Sequence, residues 1–285
     1  MENKFKLLNL GCGNRFHPDW VNVSFFSKGK EVLAHDLKKG IPFPSETFDF
    51  VYHSHLLEHF SKKEAFSFLI ECCRVLKPGG MIRIATPDLE ALAKVYLHAL
   101  QQAKTGSIEW INRYEWIMLE LYDQTVRTQS GGDMFDYFLQ DPVPEADFVI
   151  QRCGTEAKNM MTDAKKTQIQ SPVTTCGRWR KKIQRIIHDP SYRNDCFLKL
   201  ILGKKYPVYR LGHFHQSGEM HKWMYDSFSL SRLLIKTGFS NCVQKNAAES
   251  SFPQWNQYLL DMEEDGSIYK PDSLFMEAVK PDLIK

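Results

Sequence analysis

An apolar strand that runs directly into a glycine turn decides the fold of this chain: residues 7–14 read LLNLGCGN. At the end of a buried parallel strand, paired glycines let the backbone turn sharply and let a ligand approach the main chain. Gly11 and Gly13 therefore predict a binding turn. A phosphate-binding loop would continue with Gly-Lys-Ser/Thr, which does not follow here. A dinucleotide fingerprint would need Gly or Ala where Phe16 stands, which disfavours a nicotinamide cofactor.

Further short strands are predicted at Trp20–Phe25, Glu31–Asp36, Phe48–His53 and Met81–Thr86. An amphipathic helix is predicted from Ser61 to Leu76, with Ser61 as its N-cap and Glu64 completing a capping box. The predicted apolar face of this helix consists of Phe66, Leu69, Ile70, Cys73 and Leu76, and Pro78-Gly79-Gly80 is expected to stop it. Strands separated by crossovers of this kind predict a parallel sheet with both faces covered.

The C-terminal region returns to the same pattern. A helix is predicted over Leu230–Lys236, and strands are predicted over Asn241–Asn246 and Ser273–Val279. Between the two sheet-forming regions lies a long stretch with aromatic helical segments such as Trp110–Tyr122 and with turn-rich segments. We therefore expect a cofactor-binding part over residues 1–100, a helical insert over 101–222 that forms a lid or acceptor side, and completion of the sheet over 223–285.

Composition excludes several classes of protein. The 285 residues are 43% hydrophobic and 25% charged, which is ordinary globular usage rather than that of a disordered chain. No apolar run reaches the roughly 18–20 residues of a membrane span, and the first residues do not resemble a signal peptide, so we expect a cytoplasmic protein. Seven cysteines without a C-x-x-C pair predict reduced thiols rather than a zinc knuckle.

The net charge of +3 is unevenly distributed along the chain. Residues 151–215 carry 14 basic against 4 acidic residues, whereas residues 1–150 carry 16 against 20 and residues 216–285 carry 7 against 10. The densest basic stretch contains Arg178, Arg180, Lys181, Lys182 and Arg185. It forms either a solvated helix face or a docking surface for an acidic acceptor such as a phosphate-bearing sugar or a lipid head group. Only Trp179 interleaves with the basic residues, which makes nucleic-acid binding unlikely.

An ordered series of motifs resembles one known family. The series consists of NLGCGNR at residues 9–15, WVNVS at 20–24, the stretch 34–60 with DLKKGIPFP, FDFVYHS and LLEHF, and ECCRVLKPGGMIRIATPD at 71–88. It resembles the class I S-adenosylmethionine-dependent methyltransferases, in particular their small-molecule type-11 group. The resemblance covers residues 5–90 strongly and residues 221–281 more loosely. It implies a Rossmann-like α/β fold with a seven-stranded, mostly parallel sheet and a helical insert after strand five.

The resemblance also implies a cofactor site. Gly11, Cys12 and Gly13 would pack against the methionine part of S-adenosylmethionine, and Asp36, with Leu37 beside it, would lie near the adenine amine. The main chain at His53 and Ser54 would complete the site at the end of the fourth strand. One position departs from the family pattern, because Ser24 stands where an acidic residue usually binds the ribose hydroxyls.

Histidines are the candidate bases for methylation of a hydroxyl. His55 follows the fourth strand directly and is the first choice; His221, in the stretch HFHQSGEMHKWMYD, is the second. Glu58 and His59 have a capping or packing role as their simpler explanation. A metal site at His213, His215, Glu219 and His221 would lack a complete known ligand set, so we expect none.

The sequence thus predicts a methyltransferase that acts on a small-molecule or glycan-precursor acceptor, at a hydroxyl, without a membrane span. The acceptor is expected to be acidic or sugar-containing. The alternative is a non-catalytic binding or assembly protein on the same fold, which Ser24 suggests because a neutral hydroxyl replaces the stronger, charged hydrogen-bond acceptor. The oligomeric state is not predicted.

Overall fold

The computed structural model describes residues 5–27, 29–169, 185 and 187–282. Its strands are β1 (Leu7–Leu10), β2 (Val21–Ser24), β3 (Val32–Ala34), β4 (Phe48–Ser54), β5 (Leu76–Pro87), β6 (Ser240–Lys245) and β7 (Ser273–Val279). They form one seven-stranded sheet in the order β3-β2-β1-β4-β5-β7-β6. Strands β1 to β5 pair in parallel, whereas β7 runs antiparallel to β5 and β6. The predicted mostly parallel α/β sheet is confirmed.

Strand β5 begins earlier than predicted, at Leu76, and the Pro78-Gly79-Gly80 stretch forms a bulge within it. Leu76 already pairs with Phe48, and the register shifts before Phe50 pairs with Met81. At Gly80 a Cβ atom would lie 2.8 Å from the carbonyl oxygen of Lys77. The glycine therefore lets the irregular start of the strand fold closely on itself.

Helix α1 (Lys62–Val75) packs against one face of the sheet and begins with the predicted capping box. Its buried face differs from the predicted one, since Phe66 and Ile70 are exposed. The buried residues are Ala65, Phe68, Leu69, Cys72 and Val75. Both stripes of this helix are largely apolar, so periodicity alone could not choose between them. Packing selects the stripe with the small residues Ala65 and Cys72, which lets the helix approach the sheet closely.

The opposite face of the sheet is covered in an unusual way. Parallel strands are commonly joined by helices, but in the described residues the links from β1 to β2 and from β2 to β3 contain no α-helix. Residues 246–272, here named the β6–β7 segment, cover this face instead. The apolar cluster on this face consists of Leu7, Trp20, Phe50 and Tyr52 from the sheet side and of Phe252, Trp255 and Leu260 from the β6–β7 segment.

A buried ion-pair network ties the β6–β7 segment to the centre of the sheet. Arg83 on β5 is fully buried, and its guanidinium donates to Asp261 at 2.8 Å and to Glu277 at 2.9 Å. The Tyr52 hydroxyl donates to the same Asp261 carboxylate at 2.5 Å. Arg83 also donates to the carbonyl oxygens of Asn246, Ala247 and Glu249. Each charge in this network thus has a partner, as burial requires.

The insert builds a second core. Its helices are α2 (Leu89–Ala103), α3 (Ile108–Val126), α4 (Gly132–Phe138), α5 (Ala146–Ile169), α6 (Pro190–Leu202) and α7 (Tyr206–Gln216), after which α8 (Ser227–Lys236) returns to the sheet. The second core contains Leu92, Trp116, Phe138 and Val149, so that α2 packs with the helices that follow it. The insert as a packing unit therefore includes α2, although the sequence placed that helix in residues 1–100.

Two predictions concern the surface of the molecule. The basic stretch Arg178–His188 lies outside the described residues, except for Arg185, Ile187 and His188. In the part of the chain that the structure describes, no helix is both long and apolar enough to cross a bilayer.

Candidate active site

The glycine turn after β1 has a backbone that glycine adopts readily and other residues rarely do. The φ angle is 68° at Gly11 and 53° at Gly13, in the left-handed region. A Cβ atom at Gly11 would lie 2.9 Å from the side chain of Leu56, whereas at Gly13 it would meet nothing within 4 Å. The lack of a side chain at Gly11 thus makes room for Leu56, and the lack of one at Gly13 leaves the open side of the turn accessible.

Ser24 and Asp36 lie beside this turn, at the ends of β2 and β3. The His35 amide donates to the Ser24 carbonyl at 2.9 Å and holds the two strand ends together. The Asp36 carboxylate accepts from the Lys38 amide at 3.1 Å and caps a short turn. Phe25, directly after Ser24, is 62% exposed. A hydroxyl, a carboxylate and an exposed aromatic ring therefore meet at the edge of the sheet that carries the glycine turn.

The remaining residues predicted for this site present mainly their main chain. The side chains of Cys12, Leu37 and His53 are buried, whereas Ser54 is partly exposed. The His53 ring contacts Phe68 edge-on at a centroid distance of 5.3 Å, on the α1 side of the sheet. Desolvation lowers the pKa of His53 to about 3, so this ring is neutral. The His53 side chain consequently lies away from the glycine turn.

A cavity of about 430 Å³ lies between the carboxyl ends of β4 and β5 and the helices of the insert. His55 after β4 and Asp88 after β5 line it from the sheet. Leu92, Trp116 and Phe138 contribute apolar wall from the second core. The volume is that of a small-molecule site, and the wall combines apolar surface with converging polar groups.

Glu58 places a carboxylate behind the wall of this cavity. Its side chain is fully buried, with Oε2 accepting from the Thr86 hydroxyl at 3.3 Å. Among the described residues Oε1 has no hydrogen-bond partner, but it lies 3.4 Å from Nδ1 of His55 and 4.0 Å from Nε2 of His221. Desolvation raises the pKa of Glu58 to about 7. The two histidines predicted as bases therefore flank one buried carboxylate oxygen.

His55 and His221 come from distant parts of the chain. His55 adopts φ 47° directly after β4, and its Nε2 lies 2.8 Å from the hydroxyl of Ser273. His221 lies between α7 and α8, with its amide bonded to the carbonyl of Gln124 at 2.9 Å. Burial lowers the pKa of both imidazoles, so both rings are neutral near pH 7.

His59 completes the cluster. Its Nδ1 lies 3.1 Å from the carbonyl oxygen of Met220, and its ring contacts that of His221 edge-on at 4.8 Å between centroids. One side-chain donor atom each from Glu58, His59 and His221 lies within 4.8 Å of the others. Glu58 and His59, for which capping or packing was the simpler explanation, thus lie in one cluster with His221.

A second group of charged residues lines the same cavity. Lys270 pairs with Glu156 at 2.7 Å, and Arg152 pairs with Glu120 at 2.6 Å. Asp272 lies among these charges, and its Oδ1 has no hydrogen-bond partner within the described residues. Desolvation, followed by the negative charge of Glu120, raises the pKa of Asp272 to about 7.

A kink in α5 brings this helix against the β6–β7 segment. Gly154 has φ 63° and ψ −140° within the helix. A Cβ atom there would lie 2.4 Å from the carbonyl oxygen of Tyr269. The Thr155 amide donates to this same oxygen at 3.2 Å. Only glycine allows so close an approach, which places Glu156 within reach of Lys270.

The structure thus separates the sequence-predicted residues into groups. Gly11, Gly13, Ser24 and Asp36 lie around the turn, whereas His55 and His221 lie at the cavity. His213 and His215 are exposed on α7 and do not join the cluster. Sequence reasoning missed Glu120, Glu156, Lys270 and Asp272. The stretch Lys270-Pro271-Asp272 just before a predicted strand was the available signal, because polar residues at strand ends commonly face a site.

The strand order with an antiparallel β7, together with the glycine turn after β1, defines the class I methyltransferase fold. Residues 16–84 match the family model described as "Methyltransferase domain". No curated protein matches the chain. Over residues 16–84 the chain is thus similar to methyltransferase domains, and the cofactor that this similarity implies is S-adenosylmethionine.

Several solved structures are similar to the chain. A SAM-dependent methyltransferase from Archaeoglobus fulgidus aligns over 97% of this chain and 86% of its own, at 12% identity and a TM-score of 0.36. One from Aquifex aeolicus aligns over 30% and 57%, at 20% identity and a TM-score of 0.25. A Pyrococcus horikoshii OT3 protein aligns over 32% and 53%, at 25% identity and a TM-score of 0.27. The chain spans only about half the length of the last two.

The residues around the turn fit S-adenosylmethionine. The open side at Gly13 lets a ligand reach main-chain amides, which suit a carboxylate. Asp36 offers an acceptor for an exocyclic amine, and the exposed ring of Phe25 offers an apolar surface for adenine. Ser24 would offer the ribose one neutral hydroxyl, where a carboxylate would accept two hydrogen bonds.

Proposed function

We propose that this protein is an S-adenosylmethionine-dependent methyltransferase, of EC class 2.1.1, that methylates a hydroxyl of a small acceptor bound in the cavity. The observation that carries the proposal is the position of the cavity: it opens at the ends of β4 and β5, on the same edge of the sheet as the glycine turn. In open α/β sheets, ligands bind outside the carboxyl ends of the strands.

The charges of the cavity favour a neutral, hydroxyl-bearing acceptor such as a sugar unit. Each basic side chain of the wall already has a carboxylate partner: Arg127 pairs with Glu219, Arg152 with Glu120 and Lys270 with Glu156. An acidic acceptor would have to compete with these pairs. The expectation of an acidic acceptor came from the basic stretch, most of which lies outside the described residues.

His55 is the residue that we propose as the proton acceptor. S-adenosylmethionine supplies a methyl group on a positively charged sulfur, so that the protein has to align the acceptor and remove its proton. His55 lines the cavity with Nε2 next to Ser273 and Nδ1 facing Glu58, so that one of these two contacts would have to open for the ring to accept the proton. A cytoplasmic location remains a prediction from the sequence.

Calorimetry with S-adenosylmethionine and S-adenosylhomocysteine tests the function at its first requirement. We expect saturable binding of both, weakened in Asp36→Ala and retained in His213→Ala, which alters an exposed histidine on α7. Absence of binding at millimolar cofactor would refute the proposal. Binding of cofactor without transfer of a labelled methyl group to any hydroxyl-bearing acceptor of a sugar and glycan-precursor panel would favour the alternative, a non-catalytic binding protein.

His55→Ala separates the base from the cofactor site. We expect methyl transfer to fall by roughly 10²–10⁴-fold, the usual contribution of a general base. Affinity for S-adenosylhomocysteine should stay unchanged, because the His55 ring lies at the cavity rather than at the glycine turn. Unchanged transfer by the variant would remove His55 from this role.

A further inference from the structure

We propose that Glu58, His59 and His221 form a binding site for one divalent transition-metal ion of the zinc class, in the wall of the cavity. Two imidazoles and one carboxylate are a donor set that zinc uses when a further coordination position is left for water or substrate. The proposal concerns metal binding and is independent of whether the protein transfers methyl groups.

The donor atoms are close to the spacing that a metal needs. Ligand bonds of about 2.0–2.2 Å place tetrahedral ligand atoms about 3.3 Å apart. In this structure Nε2 of His221 lies 4.0 Å from Oε1 of Glu58, and the three donor atoms lie within 4.8 Å of one another. Small rotations of side chains, without movement of the backbone, would close these distances.

The partner of His59 prepares it as a ligand. Nδ1 lies 3.1 Å from the carbonyl of Met220, which accepts hydrogen bonds only. The proton therefore belongs on Nδ1, and the lone pair on Nε2 is available. Metal-bound histidines commonly donate their other N–H to a backbone carbonyl in this way.

The backbone fixes the two contributing segments to each other. The carbonyl of Glu58 accepts hydrogen bonds from the amides of Lys222, at 2.7 Å, and Trp223, at 3.3 Å. Glu58 and His221 are therefore held in place although they lie far apart in the sequence. A site that is organised before the ion arrives loses less entropy on binding.

The buried oxygen of Glu58 is the independent observation. Oε1 is fully buried and has no hydrogen-bond partner in the part of the chain that the structure describes, a situation that costs free energy unless something satisfies it. A cation at the centre of the three donor atoms would satisfy it. The wall of the cavity also carries five carboxyl groups against the three paired cations already described. The five are Asp88, Glu120, Glu156, Glu219 and Asp272.

The donor set distinguishes among metals. Magnesium and calcium prefer oxygen ligands, whereas two imidazoles favour zinc, cobalt or nickel. His59 and His221 both line the cavity, so an open coordination position would face an acceptor. The proposal assigns His221 to metal binding rather than to proton transfer, which leaves His55 as the base.

Metal content and a cobalt spectrum test the site without any assay of activity. The full chain is stripped with a chelator, loaded with Zn²⁺ or Co²⁺, desalted and analysed for metal per chain. We expect one ion per chain, visible absorption from bound Co²⁺, and at least roughly tenfold weaker binding in Glu58→Gln and His221→Ala. His213→Ala is the matched control and should bind as the unaltered protein does.

Two results would overturn the site: no stoichiometric metal in the unaltered protein, or undiminished affinity in both cluster variants. Circular dichroism shows whether the variants fold. If they do not, thermal unfolding of the unaltered chain decides, because an ion that binds the native state must raise Tm with its concentration. An unchanged Tm across the Zn²⁺ titration would then reject the proposal, and a rise with Zn²⁺ but not with Mg²⁺ would support it.

Discussion

The residues around the glycine turn and the residues around the cavity differ in how far apart they lie along the chain. The turn, Ser24 and Asp36 fall between residues 11 and 36 and follow three adjacent strands. The cavity joins His55, Glu120, Glu156, His221 and Asp272, which come from five separate segments. The residues around the turn contribute main-chain groups and a few partly exposed side chains, whereas the cavity residues include buried charged side chains.

This difference teaches where recognition and chemistry are encoded. A cofactor that many proteins share can be held by local backbone geometry, which a short motif specifies. An acceptor that is particular to one protein is met by groups with altered protonation, and burial by distant segments is what alters them. Each prediction below changes one side of the comparison, beginning with the largest expected effect.

Arg83→Met should have the largest effect of these variants, because Arg83 anchors the β6–β7 segment to the sheet. It leaves Asp261 and Glu277 as buried charges without their partner, which we expect to lower the free energy of unfolding by about 3–5 kcal/mol. Urea unfolding followed by tryptophan fluorescence measures the loss. Lys94→Met breaks an exposed ion pair and should have a much smaller effect. Equal losses in the two variants would contradict a supporting role for the Arg83 network.

Asp272→Asn tests the buried charges of the cavity side. The pKa of Asp272 rises from its ordinary 3.8 to about 7 in the fold, so between these values the native state keeps a proton that the unfolded chain has lost. The contribution of Asp272 to the free energy of unfolding therefore declines as pH rises from about 4 to 7, and it stays low at higher pH.

The Asn variant should lack this decline. We expect it to exceed the unaltered protein in stability by about 1–3 kcal/mol at pH 8, and by less at pH 4.5. Glu120, Glu156, Lys270 and Arg152 face the same carboxyl, and they are unchanged in both proteins. Thermal unfolding across this pH range measures the difference, and a difference independent of pH would show that Asp272 is ionised throughout.

Ser24→Asp should strengthen binding of the cofactor at the glycine turn. A carboxylate can accept two charge-assisted hydrogen bonds from ribose hydroxyls, and one such bond is worth about 1.5 kcal/mol, or roughly tenfold in affinity. Calorimetry with S-adenosylhomocysteine measures the gain. Ser24→Ala serves as the control and should bind no more tightly than the unaltered protein. A Ser24→Asp variant without tighter binding would place the ribose elsewhere.

Ser61→Ala has the smallest expected effect, because it alters neither the residues around the glycine turn nor those of the cavity. It removes the N-cap of α1 and should cost about 1 kcal/mol, whereas Ser61→Asp keeps a capping oxygen and should cost little. Both are measured by urea unfolding. A loss as large as that of Arg83→Met would mean that α1 depends on its cap more than on its packing.

Much of the fold could be predicted from local patterns. The capping box at Ser61, the glycine turn and the β7 strand at Ser273–Val279 are present in the structure as predicted. The buried face of α1 was predicted incorrectly, because two apolar stripes compete on that helix and only contact with the sheet decides between them. The β6–β7 segment takes the place of helices on the other face, and no local pattern predicts this role. The role arises because the described links between β1 and β3 contain no α-helix that could cover that face.

The sequence by itself predicted a mostly parallel α/β sheet with a glycine binding turn, and a resemblance to S-adenosylmethionine-dependent methyltransferases, because motifs of a few neighbouring residues specify turns, caps and strand ends. It also named His55 and His221 as candidates. Only the tertiary structure decided that these two histidines share one buried carboxylate, and that Glu58, His59, Asp272 and Lys270 belong to the same cavity. The reason is physical: protonation and ligand geometry depend on which groups burial brings within a few ångströms, and those groups come from three separate segments of the chain, around residues 55–59, 221 and 270–272.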